Sequence, residues 1–172
     1  QSVSFGESVS ISGDTAVIGT GNERLGADNN VGAIYIFVRE DGVWTQQVRL
    51  PNPYPANDDA FGQSVSISGD TIIASSHGDD NVGPSSSSGS AYVYVRSGST
   101  WTLQAQLTAD DAGSGDQFGF SVAIDGDTAL VGAVSDDAPA NNSGSAYVFV
   151  RSGVSWTQQA KLTADDGLAN DY

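Results

Sequence analysis

The chain has 172 residues, a net charge of −15 at pH 7 and no cysteine. The negative charge would repel nucleic-acid phosphates and anionic lipid surfaces, and the lack of thiols excludes disulfides and thiolate metal sites. No apolar run approaches the roughly 18 residues of a membrane helix. We therefore expect neither nucleic-acid binding nor membrane insertion.

Gly, Ser, Asp, Val and Thr are abundant, whereas Lys, Glu and Leu are scarce and Met is absent. This composition favours β-strands joined by tight turns over helices. The length suits one domain, 1–172. Three copies of one module follow each other in it, at approximately 1–57, 58–114 and 115–172. The predicted class is all-β.

Each module opens with Phe-Gly and carries one Trp five residues after a Tyr-x-aromatic-Val-Arg run. These residues are Phe5, Gly6, Trp44, Phe61, Gly62, Trp101, Phe118, Gly119 and Trp156. Repeats of this length that hold several short strands are typical of blades and other β-repeat architectures. We assign all nine residues a structural role, because each Trp opens a strand after a turn and should pack on a neighbouring sheet.

Four runs of strand-like sequence divide each module, and in the third copy they are 119–125, 128–133, 145–151 and 156–163. The links between the first and second runs, and between the third and fourth, are short, so neighbouring strands should be antiparallel. The third run is apolar on both faces, as in Ala146-Tyr147-Val148-Phe149-Val150. This alternation predicts sheets sandwiched between other sheets.

The module resembles the FG-GAP repeat of integrin α-subunit propellers and of many bacterial surface proteins. The resemblance implies three tandem four-stranded antiparallel modules stacked as β-propeller blades, with an extracellular or cell-surface location. Family propellers have more than three blades, so we expect an open stack or one completed by neighbours. A β-trefoil-like fold is the alternative, because three modules of four strands is also its strand count. Calcium-binding family members use an Asp-rich loop between strands one and two, which here is only a Gly-Asp turn.

A catalytic set is not recognisable. His77 is the one histidine and lies in a loop rich in Gly and Ser, where we expect it to be solvated. Asp pairs recur with the repeat, whereas a catalytic pair would be singular and its members would differ in environment. We predict no enzymatic activity and no required cofactor.

The long loops 20–31, 76–88 and 133–143 and the links between modules should emerge at one end of the sheets, and they carry most of the acids. We predict weak Ca²⁺ binding by five of them: Asp110, Asp111, Asp116, Asp136 and Asp137. A basic or metal-bridged partner would use a second set: Glu23, Arg24, Asp28, Asp79 and Asp80. Variable loops on a regular scaffold commonly carry recognition.

We expect a non-enzymatic module for adhesion, recognition or assembly. One alternative is the structural subunit of a surface assembly or filament. Another is a carbohydrate-binding lectin, with the Trp residues as stacking platforms. The repeat spacing places the next Phe-Gly at position 173, so we expect either head-to-tail self-association or a longer repeat array.

Overall fold

The computed structural model describes residues 4–80, 87–137, 140 and 142–165. These residues form twelve β-strands and no helix. Among them, therefore, there is no helix that could cross a membrane. The strands are β1 (Ser8–Ser12), β2 (Thr15–Thr20), β3 (Ala33–Glu40), β4 (Val43–Pro51), β5 (Val65–Ser68), β6 (Thr71–Ser76), β7 (Ser90–Ser97), β8 (Thr100–Leu107), β9 (Phe118–Asp125), β10 (Thr128–Ala133), β11 (Ser145–Ser152) and β12 (Ser155–Leu162).

The strands make three separate four-stranded sheets, and each sheet is an antiparallel meander of four consecutive strands. In the third sheet each strand begins and ends within one residue of its predicted boundaries. Gly13, Gly69 and Gly126 open the tight turns after β1, β5 and β9 with φ between 54° and 57°, which glycine adopts at little cost. The all-β, blade-type prediction is confirmed. The β-trefoil alternative is wrong for the described residues, because their sheets share no ladder that closes a common barrel.

The sheets stack face to face through two apolar clusters. Ile72 and Ile73 are adjacent on β6 and both fully buried, yet they belong to different clusters because successive strand residues point to opposite faces. Ile72 packs with the first sheet and Ile73 with the third. The second sheet is therefore covered on both faces, as predicted, whereas each end sheet is covered on one face.

Hydroxyl groups on strand one align each sheet with the next. Ser8, Ser10 and Ser12 accept hydrogen bonds of 2.9–3.1 Å from backbone N–H groups of the second module. The hydroxyls of Ser64, Ser66 and Ser68 accept equivalent bonds of 3.1–3.2 Å from the third module. Because serine alternates with Val or Ile, one strand supplies both polar register contacts and apolar packing.

The Phe-Gly pair connects a module to the preceding one. Phe61 is fully buried, and its N–H donates to the Val31 carbonyl oxygen at 3.1 Å. Gly62 has a φ of 86°, and a Cβ there would lie 2.7 Å from the Ala33 carbonyl oxygen. Glycine is thus required both by the backbone angle and by the close approach of the preceding sheet.

Candidate functional site: acid–tyrosine clusters at the long-loop end

Each module places one acid of its long loop against the tyrosine of its third strand. We call each group an acid–tyrosine cluster; the acids are Glu23, Asp79 and Asp136, and the tyrosines are Tyr35, Tyr92 and Tyr147. Each acid lies 18 residues after its Phe-Gly phenylalanine. A residue on the fourth strand completes each cluster, and it is Arg49, Gln106 or Lys161.

In the first cluster, Glu23 holds both other members. Tyr35 donates its hydroxyl hydrogen to Glu23 Oε2 at 2.8 Å, and Arg49 Nε donates to Oε1 at 2.9 Å. Burial lowers the pKa of Arg49, but the interactions with Glu23 and Tyr35 together outweigh this effect, and the net pKa is raised. Burial and Glu23 raise the pKa of Tyr35. The carboxylate is neutralised by a cation that stays protonated.

In the third cluster, Lys161 bridges two carboxylates. Its ammonium donates to Asp111 Oδ2 at 2.7 Å and to Asp136 Oδ1 at 2.9 Å, while Tyr147 donates to Asp136. Burial raises the pKa of Asp111, but Lys161 and Tyr147 outweigh it, so the pKa falls below its usual range. A cation from the protein therefore already occupies the position between these two acids.

In the second cluster, the fourth-strand residue is uncharged. Asp79 Oδ2 accepts hydrogen bonds from Ser90 and Tyr92, each at 2.5 Å, and a longer one of 3.3 Å from Gln106. Tyr92 is fully buried, and burial raises its pKa far above the usual range. An amide thus stands where the other two modules place a cation.

Asp59 brings a further carboxylate to the second cluster from the link between modules. It has no exposed surface, and its Oδ2 accepts hydrogen bonds from Asn52 Nδ2 at 2.7 Å and Ala56 N at 2.6 Å. Burial, helped by the nearby charges of Asp79 and Asp80, raises the pKa of Asp59 to about 6 against the opposing effect of these two hydrogen bonds. Within the described residues, Asp59, Asp79 and Asp80 are the group of acids that can each bring one carboxylate oxygen within 4.8 Å of the other two.

The five acids proposed for Ca²⁺ do not converge on one point. Asp111 and Asp136 meet at Lys161, whereas Asp110 and Asp137 are exposed. Asp116 is buried and accepts a bond from Gly113 N at 2.6 Å, and burial raises its pKa.

The second predicted set is divided between roles. Glu23 and Asp79 anchor clusters, Asp80 adjoins one, and Arg24 is exposed on its loop. Asp28 accepts a bond of 3.3 Å from Asn57 in the link to the second module. This loop therefore contacts the next module through Asp28.

His77 differs from the expectation of a solvated side chain. It is half-buried, its ring lies edge-on to Phe120 at 5.8 Å, and its Nδ1 has no hydrogen-bond partner among the described residues. Burial lowers the pKa of His77, and Glu7 only partly opposes this. The loop is packed against the third module, which the polar sequence around His77 does not indicate.

The three tryptophans differ in exposure because only two have a preceding module. Trp101 is 7% exposed and donates to Gln47 Oε1 at 3.0 Å, and Trp156 donates to Gln104 Oε1 at 2.9 Å. Trp44 is 38% exposed. In each module the arginine that ends the Tyr-x-aromatic-Val-Arg run lies over the indole, at 5.2–5.3 Å from the ring centre.

Sequence reasoning missed Asp59 as a site residue, together with Tyr92 and Gln106. Their signal is visible only when the modules are aligned, because Arg49, Gln106 and Lys161 then fall in one column. The uncharged member of that column marks the module in which the acids lack the usual basic side chain.

The FG-GAP repeat family matches residues 1–37, 44–94 and 101–149. No curated protein matches the chain. A solved structure, the periplasmic gluconolactonase of Pseudomonas aeruginosa, is similar with a TM-score of 0.49 and 13% identity over 94% of this chain. The chain spans 58% of that protein's length. With matches over most of its residues, the chain belongs to the FG-GAP repeat family.

Proposed function

We propose that the chain is a non-enzymatic FG-GAP module, outside the cell or on its surface, that acts through protein–protein contact. Its two end faces bind further modules of the same type head to tail, and in a solution of this chain alone the partner is a second copy. One observation carries the proposal: each end face exposes the side chains that the internal interfaces bury. The location is inferred from the resemblance to surface-protein repeats.

The incoming face is the side of a sheet that packs against the preceding module. In the first module Phe5, Ile11 and Trp44 are 54%, 63% and 38% exposed. Their counterparts in the second module are at most 7% exposed: Phe61, Ile67 and Trp101. The first module thus carries a ready-made incoming face, and exposed apolar patches of this kind mark interaction sites.

The outgoing face is the opposite side, which packs against the following module. In the third module Leu130 and Leu162 are 41% and 49% exposed, whereas their counterparts Ile73 and Leu107 are at most 3% exposed. These positions form the apolar part of the surface that a following module would cover.

Polar groups at the two ends are also complementary. At the internal interfaces an arginine donates to the preceding module's Thr at 2.8–3.1 Å, and a Trp indole donates to its Gln. The first module offers Arg39 and Trp44 as donors, and the third offers Thr128 and Gln159 as acceptors. In the third module Ala123 and Asp125 stand where the first two modules have register serines, and only Ser121 is retained. We therefore expect the copy-to-copy interface to be weaker than the internal ones.

The site chemistry supports a binding role over catalysis. The clusters hold their acids against Tyr, Arg and Lys partners, and His77 is packed against Phe120. A lectin role has no comparable support, because Trp101 and Trp156 pack between modules instead of presenting free ring faces.

Light scattering and sedimentation over a concentration series test the proposal. We expect reversible head-to-tail oligomers that strengthen with added salt, because salt screens the mutual repulsion of chains with a net charge of −15. Ile11→Asp blocks the incoming face and Leu130→Asp blocks the outgoing face. Each variant alone should stay monomeric, and their mixture should form a 1:1 dimer and nothing larger.

The matched control is Val154→Asp, which places the same charge at an exposed turn residue and should leave the oligomers unchanged. A chain that stays monomeric at all concentrations and salts contradicts self-association. Dimers that survive in both blocked variants would place the contact elsewhere on the molecule.

A further inference from the structure

We infer that Asp59, Asp79 and Asp80 form a divalent-cation site, with Ca²⁺ as the preferred ion. The site lies where the link between the first two modules meets the loop after β6. The loop between strands one and two, where the resemblance places calcium in other family members, is here the Gly69-Asp70 turn and takes no part. The inference does not depend on the proposed head-to-tail contact.

The distances suit a shared ion. One oxygen from each of the three residues lies within 4.8 Å of the others. Two oxygens bound to the same Ca²⁺ at about 2.4 Å can be at most about 5 Å apart. Asp80 is exposed, so the ion can enter from solvent and water can complete its six to eight ligands.

The buried carboxylate supplies an independent indication of a ligand. Asp59 is 0% exposed, and its Oδ1 has no hydrogen-bond partner among the described residues, although Oδ2 has two. A buried carboxylate oxygen without a partner is costly, and coordination of a cation would satisfy it. The charges that act on Asp59 from Asp79 and Asp80 disfavour its ionised form, and a cation would reverse this effect.

The other two modules show what the site lacks. Arg49 and Lys161 bring a positive charge to the first and third clusters, and the equivalent residue of the second cluster is the neutral Gln106. The second cluster also gathers three carboxylates. A bound metal ion would supply the charge that the protein itself supplies in its neighbours.

The ligand chemistry selects the ion. Carboxylate oxygens suit hard cations, whereas Zn²⁺ favours nitrogen and sulfur ligands. Mg²⁺ demands near-ideal octahedral geometry, while Ca²⁺ accepts irregular sets in which water completes the shell. With Asp80 open to solvent, we expect weak binding, with a Kd on the order of 10⁻⁴–10⁻³ M as in extracellular modules.

Calorimetric titration of the whole chain with Ca²⁺ tests the inference, with Tb³⁺ luminescence sensitised by Tyr92 as a local probe. We expect one main site per chain. Asp80→Asn should weaken Ca²⁺ binding at least tenfold, and it leaves a surface side chain of the same shape. Gln106→Lys should also abolish binding, because it reproduces the third cluster with its own cation.

The control is Asp110→Asn, an exposed carboxylate at the same end, which removes the same charge and should leave the affinity unchanged. Three results would overturn the inference: no Ca²⁺ heat at millimolar concentration, wild-type affinity in both Asp80→Asn and Gln106→Lys, or equal losses in Asp110→Asn.

Discussion

The stacking of the sheets predicts that the same substitution will have different costs in two equivalent positions. Ile67 and Ile11 occupy the same place on strand one of the second and first modules, but Ile67 is 6% exposed and Ile11 is 63% exposed. Ile67→Ala should lower the free energy of unfolding by about 3 kcal/mol, because it removes buried methyl groups and leaves a cavity between sheets. Ile11→Ala should cost about 1 kcal/mol or less, since most of its surface is already in water.

Urea denaturation at high dilution measures this difference without interference from self-association. Both substitutions have the same effect on strand propensity. The difference between their losses of unfolding free energy therefore reports on the interface and should be about 2 kcal/mol. The slope of the unfolding free energy against urea should stay the same in both variants, because the exposed area changes little. Equal losses in the two variants would refute the assignment of Ile67 to a buried interface and of Ile11 to an open one.

Three further contrasts follow from the same structure. Gly62→Ala should destabilise the chain by at least about 2 kcal/mol more than Gly6→Ala in urea denaturation, because both have positive φ but only Gly62 faces a carbonyl oxygen at 2.7 Å; equal costs would contradict this. In the absence of divalent cations, stability should fall by up to about 3 kcal/mol as pH rises from about 4 through 6, because folded Asp59 keeps its proton to about pH 6 and the unfolded residue loses it near 3.8. Asp59→Asn should flatten this profile, and an unchanged profile would show that other groups cause it. Lys161→Met should lower the free energy of unfolding by about 3 kcal/mol, because it leaves a buried carboxylate uncompensated. Arg39→Met removes one member of an exposed ion pair and should cost below about 1 kcal/mol in thermal unfolding. Similar losses in the two variants would argue against a difference in burial between the two ion pairs.

The strands and turns of this protein could be predicted because the signals are local. A Gly-Asp pair between two alternating runs specifies a hairpin from a few neighbouring residues, and the structure places β9 and β10 on both sides of Gly126-Asp127. The recurrence of Phe-Gly gave the family by resemblance. It also showed that these residues have a shared structural role, which the burial of Phe61 and Phe118 explains.

The repeat that the family model matches does not coincide with one sheet. The matched segments 44–94 and 101–149 begin with the Trp strand of one module and end within the third strand of the next. Each segment therefore contains strands from both of the sheets that meet at one interface. Strands β5–β8 lie within 58–114 and β9–β12 within 115–172, whereas each matched segment joins strands of two adjacent sheets.

The sequence alone determined that acids gather at the long-loop end, because loop lengths and the meander order fix which links emerge together. Only the tertiary structure decided which of these acids meet, since Lys161 reaches back 50 residues to Asp111 and Asp59 lies beside an acid 20 residues later. Such pairings depend on how one sheet packs on the next. The acids of this loop end therefore differ in their surroundings. Lys161 pairs with two of them, while Asp59 has a buried oxygen without a partner in the described structure.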